Sequence, residues 1–144
     1  MRQMIIALLF CCALSTYATE IVREQGFEVQ VQPFPSTFLT QDVASTYGFE
    51  RSRRQALINV VVLQIQPDGQ ARGAVAASIT GFSKNLLGQT QTLTFRKIDE
   101  GDDAIYYLAP LRVISEEEIQ IALEVIPVNA RAIDVKFDHK VYVD

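Results

Sequence analysis

Sulfur is scarce in this chain and confined to its first twelve residues: Met1, Met4, Cys11 and Cys12 are all there is. If that leader is removed, the remainder has no disulfide, no thiol nucleophile and no soft ligand for copper. A domain so made must be held by its apolar core alone. Histidine is nearly absent too. His139 stands by itself, which leaves a metal centre short of ligands and a histidine-based triad without partners in any recognisable motif. Basic charge is in deficit, with 13 Lys and Arg against 17 Asp and Glu. That argues against nucleic-acid binding, which needs a basic face. Long apolar runs are missing as well. The longest, Ile5 to Leu14, is about half the ~20 residues that span a bilayer.

That short run has a different use. Arg2 precedes it and "STYA" follows it, with Thr16 and Ala18 at the −3 and −1 positions of a cleavage site. The pattern predicts a secretory signal peptide over residues 1–18 and one domain over 19–144, located in the periplasm and not membrane-spanning. A lipid-anchored reading of Cys11 or Cys12 is weaker, because Leu9 and Phe10 before them are large. The mature chain keeps 12 basic and 17 acidic residues, a formal net charge of −5.

What remains is dominated by alternation and regular turn residues, the pattern of a sandwich or barrel. "FEVQVQP" (27–33) alternates, and Pro33 is expected to end it. "ALINVVVLQI" (56–65) is apolar on both parities, which predicts a central strand covered on both faces. "QPDGQ" (66–70) and "DEGDD" (99–103) are turns by their chemistry. Further strands are expected at about 71–82, 92–98, 104–113, 119–127 and 133–143, with loops at 84–89 and 115–118. Pro110 suggests a bend or an edge. No spacing suits a parallel sheet. The prediction is an all-β fold: an immunoglobulin-like antiparallel β-sandwich of about seven strands, with one short helix between the first two. A small closed barrel is the alternative.

The helix lies in "STFLTQDVASTYGFERSRR", Ser36 to Arg54. Thr40 is a good N-cap and Asp42 sits where the helix dipole favours an anion. Leu39, Val43 and Tyr47 form one apolar stripe, and Gly48 can close the helix in the left-handed conformation. Two turns are unstable alone in water, so this helix must rest on something. The open end of the sandwich is the expected place, with Phe38 and Phe49 as anchors. Arg51, Arg53 and Arg54 then hold a quarter of the mature chain's basic charge. They either pair with the acidic turns at 99–103 or 116–118, or form a surface for a partner or an anion.

The same residues carry a resemblance. "PSTFLTQDVASTYGFERSRRQALINV", "LLGQ" and "EGDDAIYYLA" together resemble the domain of unknown function 4426, a family of short secreted proteobacterial proteins. The likeness spans nearly the whole mature chain. It implies a periplasmic β-sandwich and supplies no catalytic residues. Departures at Pro33-Phe34-Pro35 and in the acidic turn are expected to fall in loops.

Other candidates are weaker. His139 shares parity with Ile133, Val135, Phe137 and Val141, which places it on the apolar side of its strand or at its rim. The carboxylates of 99–103 could hold calcium, but their spacing does not match a calcium loop, and hairpin turns use the same residues. Asn59 interrupts the central strand, where a buried amide needs a partner; it could pin the helix–arginine loop or a strand bend, or touch a ligand. Tyr106 and Tyr107 should face opposite sides. Three functions stay open: a non-enzymatic module for an unknown periplasmic protein, a binder of a small anionic ligand, or an enzyme of unrecognised type. The candidate surface is Arg51, Arg53, Arg54, Tyr47 and Asn59, with no catalytic residue, cofactor or metal assigned.

Overall fold

The strand that is apolar on both parities is the spine of the domain. In a computed structural model describing residues 19–100, 104–114 and 116–141, it forms β3, Gln55–Ile65. Around it lie β1 (Glu20–Glu24), β2 (Phe27–Pro35), β4 (Ala71–Ala74), β7 (Arg96–Asp99) and β8 (Ile105–Arg112). These make a six-stranded sheet in the order β1-β2-β3-β8-β7, with β4 also on β3. The second sheet has the order β10-β9-β5-β6, from Ile133–Lys140, Glu118–Pro127, Ala77–Asn85 and Thr90–Leu93. Every pairing is antiparallel. Among the described residues there is one α-helix, α1, Gln41–Tyr47, between β2 and β3 after a 3-10 turn at Ser36–Phe38.

The sheets meet through one face of each. Val29, Val31, Ile58, Val60, Tyr107 and Leu111 from the larger sheet pack against Ile121, Leu123, Val125, Ile133 and Val135 from the smaller. Each such side chain contributes about 1.5–3 kcal/mol on leaving water. Two antiparallel sheets joined this way are the expected sandwich; the closed barrel is not formed.

The strand count is ten among the described residues, not seven, and the reason is physical. The expected strands at 71–82 and 92–98 each turn a corner between sheets. Val75 still donates to Val62 of β3, while the carbonyl of Ala76 already accepts from Val128 beyond β9. Likewise β6 ends at Leu93 in one sheet and β7 begins at Arg96 in the other. Alternation runs on through both corners, so periodicity alone cannot mark them. The third addition, β1, is short, charged and peripheral.

Proline placement follows hydrogen-bond parity. The amide of Ile65 donates to the carbonyl of Gly26, so even residues of β2 bond β3 and odd ones face β1. β1 stops opposite Val31. Pro33 and Pro35 therefore lack a donor at edge-facing positions beyond the end of β1, where no strand is paired among the described residues. Pro33 does not end the strand, and residues 33–35 lie in β2 rather than in a loop. On β8 the amide of Val113 donates to Arg54, which turns Pro110 toward the other side. Pairing with β7 has already ended there at Leu108, as an edge position requires.

Two glutamines tie the sheets at their margins. Gln91 accepts from the Arg112 amide at 3.0 Å and donates to its carbonyl at 2.7 Å. Gln25 treats Arg131 the same way, at 3.0 and 3.1 Å. Each carboxamide imitates a strand partner. Tyr107 adds a third tie: its hydroxyl accepts from the Ala77 amide at 2.9 Å, where β5 begins. Tyr107→Phe strands that amide. The expected loss is about 1–3 kcal/mol in urea unfolding; an unchanged midpoint would show that the bond contributes nothing.

Candidate functional site

Four strands of the larger sheet also carry apolar side chains on the face away from the sandwich. Phe34, Leu57, Leu108 and Ile98 come from β2, β3, β8 and β7, and all are buried. α1 and its flanks cover them with Leu39, Ala44 and Phe49, while Val43 and Tyr47 pack at the margin. The helix therefore lies on the outer face of the six-stranded sheet, not across the open end of the sandwich. A sheet face with four apolar residues in register needs a cover more than the rim does.

The helix ends are built as the sequence implies. The Thr40 hydroxyl accepts from the Val43 amide at 3.2 Å. Gly48 sits at φ 75°, with its amide on the carbonyls of Ala44 and Ser45. Phe49 is 9% exposed and anchors the exit, whereas Phe38 at the entry is 43% exposed. One residue that the sequence did not single out completes the end. Arg96, from β7, donates to the carbonyl of Tyr47 and places its guanidinium 5.2 Å from the centre of the Phe49 ring. It thus satisfies one of the orphan carbonyls at the helix terminus and adds a cation–π contact. The Tyr47 hydroxyl donates to Glu100 at 3.2 Å. Burial, then the charge of Glu100 and this bond, push the tyrosine above its ordinary pKa.

The arginine loop is fixed from beneath. Ser36 is wholly buried; its hydroxyl donates to the Ser52 carbonyl at 2.8 Å and accepts from the Ser52 amide at 2.9 Å. The Ser52 hydroxyl in turn accepts from the Arg54 amide. Arg51 donates to the carbonyl of Thr37 at 3.1 Å. The side chains of Arg51, Arg53 and Arg54 are exposed. Among the described residues, none of the three pairs with a carboxylate, so the expected pairing with the acidic turns is not seen there.

Asn59 stands apart from this loop. It faces the same side as Leu57, between Gln32 and Leu108 in register, and is 5% exposed. Its Oδ1 has no partner among the described residues, so it does not pin the loop through that atom. The five candidates thus divide: Tyr47 belongs to the helix clamp, Asn59 to the sheet beneath, and the arginines to the loop. Tyr106 and Tyr107 do face opposite sides, in the outer and inner cores respectively.

Elsewhere, an open cavity of about 440 Å³ lies at one end of the smaller sheet, lined by Lys84, Leu86, Glu118, Asp138 and His139 among others. None of the five candidates lines it. His139 is partly buried, as its parity suggests, and burial lowers its pKa. Among the described residues no three His, Cys, Asp or Glu gather as metal ligands. The calcium reading of 99–103 falls mostly on 101–103, outside the described residues, as does the signal peptide over 1–18. No helix among the described residues is long and apolar enough to cross a membrane.

The family model for the domain of unknown function DUF4426 matches residues 22–144. A crystal structure of a DUF4426 family protein from Pseudomonas aeruginosa PAO1 shares 31% identity, covers 88% of this chain and 96% of its own, and superposes with a TM-score of 0.74. A copper-bound variant of FetP from uropathogenic Escherichia coli strain F11 shares 12% identity, with a TM-score of 0.64 over 89% of this chain and 97% of its own. The same FetP as isolated, expressed in the E. coli periplasm, gives 12% and 0.61 over 89% and 96%. These two share the fold. No curated protein matches the chain.

Two outcomes follow from the site. A Cβ added at Gly48 would meet Arg96 Nη1 at 2.6 Å. Gly48→Ala should therefore cost about 1–2 kcal/mol through strain at positive φ and displacement of the arginine. In an Arg96→Ala background the cost should shrink, and strict additivity in the double-mutant cycle would refute the coupling. For His139 the folded pKa lies below the unfolded one, so the unfolded chain binds the extra proton. Stability should be full above the ordinary histidine pKa and fall as pH drops through about 6.5. His139→Gln should flatten that part of the profile; an unaltered slope would contradict the assignment.

Proposed function

We propose that this member of the DUF4426 family is an exported, non-enzymatic interaction module that presents Arg51, Arg53 and Arg54 to an acidic segment of a partner protein in the periplasm. One observation carries the reading: three exposed arginines, unneutralised among the described residues, sit on an otherwise acidic chain. Their loop is held by the Ser36–Ser52 exchange and by the Val113 amide on the Arg54 carbonyl. A loop fixed in advance loses little entropy on binding. Guanidinium groups suit bidentate carboxylate recognition. What the loop offers is donors on a rigid frame, which serves recognition rather than bond-making.

Export rests on the leader pattern over 1–18. The copper of FetP stays with FetP, since 12% identity carries the fold alone.

The test is capture from periplasmic extract by the immobilised protein. Reversing all three arginines to Glu should weaken capture about tenfold or more and abolish its salt dependence. Reversing Arg72, which pairs locally with Asp68, should leave capture intact. Equal capture by both variants would overturn the reading.

A further inference from the structure

β10 is one of the two end strands of the smaller sheet, and its chemistry is self-complementary. Beyond it no strand is paired among the described residues. Two bonds fix which of its groups face outward. The Val141 amide donates to the Glu117 carbonyl, so odd residues of β10 bond toward β9. On the far side of β9 the Val128 amide donates to Ala76, so even residues of β9 face β5 and odd ones face β10. The two observations agree. The even residues of β10, Asp134, Lys136, Asp138 and Lys140, therefore direct their amides and carbonyls to the open edge. Their side chains are exposed on the outer face and alternate in charge.

We infer that β10 pairs with β10 of a second copy of this chain, antiparallel and centred on Phe137. In that register Lys136 faces the partner's Asp138 and Asp134 faces the partner's Lys140, each twice by symmetry. All four pairs are of opposite charge, and all are positions whose backbone groups face the edge. The inner residues match as well: Ile133 meets Val141, Val135 meets His139, and Phe137 meets its own copy. The neighbouring registers that keep the same backbone groups opposed slide the strands by one alternation. They put Lys136 against Lys136 with Asp134 against Asp138, or Asp138 against Asp138 with Lys136 against Lys140. Like charges directly opposite are destabilising. The charge pattern thus selects one register and rejects the two beside it.

The result is an isologous interface that joins two four-stranded sheets into one of eight. A charged edge usually keeps strands apart. Here it does so only for foreign strands and for wrong registers, since the strand's own copy presents the complementary sequence. One strand pair buries less than a standard interface, so association should be in about the micromolar to millimolar range. This inference is independent of the arginine loop.

Sedimentation equilibrium on the purified protein, from about 5 to 500 µM at low salt, is the test. The mass should rise toward twice the monomer with concentration and fall back in high salt. Lys136→Asp alone and Asp138→Lys alone should each be monomeric, with circular dichroism confirming the fold. Mixed one to one, they should form a heterodimer, because in that pair every facing charge is again opposite. A monomer at every concentration would overturn the inference. So would a dimer indifferent to the two reversals, or single variants that stay apart when mixed.

Discussion

The architecture depends on β3 being apolar on both sides. Its even residues, Ile58, Val60 and Val62, close the main core with the second sheet. Its odd residue Leu57 looks the other way and cannot be left in water beside Phe34, Leu108 and Ile98. Something must cover that face, and the chain supplies the segment that leads into β3. A two-turn helix with no stability of its own persists because it is the cover. Its ends are fixed from both directions: Thr40 from its own sequence, Arg96 from a strand on the far side of β8. The arginine loop inherits its position from this arrangement, since it leaves the helix at Phe49 and enters β3 at Gln55.

The margins follow a second rule, that backbone groups are spent only where a neighbour exists. Prolines occupy the edge-facing positions where β1 and β7 have ended. Glutamine carboxamides occupy two places where a strand pair would otherwise be missing. β10 is an end strand with no second partner strand among the described residues, and its exposed side chains alternate in charge.

Much of this was legible in the sequence. Alternation gave two layers and excluded a parallel sheet, and double-sided apolarity identified β3 as central. The caps Thr40 and Gly48 were legible because caps are local. Corners at 75–76 and 94–95 were not, because alternation continues while the chain changes sheets. The seat of the helix was hidden for a different reason. Phe34, Leu57, Ile98 and Leu108 are scattered over 75 positions, and only register brings them onto one face. Arg96 was hidden likewise: its partner carbonyl is 49 residues away. The loop arginines were conspicuous as charge, but only the three-dimensional arrangement shows that none meets a carboxylate among the described residues. Asn59 was rightly marked as buried, yet its orphan Oδ1 has no signature in sequence.

Native-state hydrogen exchange on the helix tests the dependence on that outer-face core most directly. The amides of Ala44, Gly48 and Phe49 bond within the helix and its cap. If the helix is held by the sheet, they should exchange only through openings nearly as costly as those that free the β3 amides. Exchange at the rate of a free peptide, with β3 still protected, would mean the outer face does not hold the helix, and the account built on it would fail.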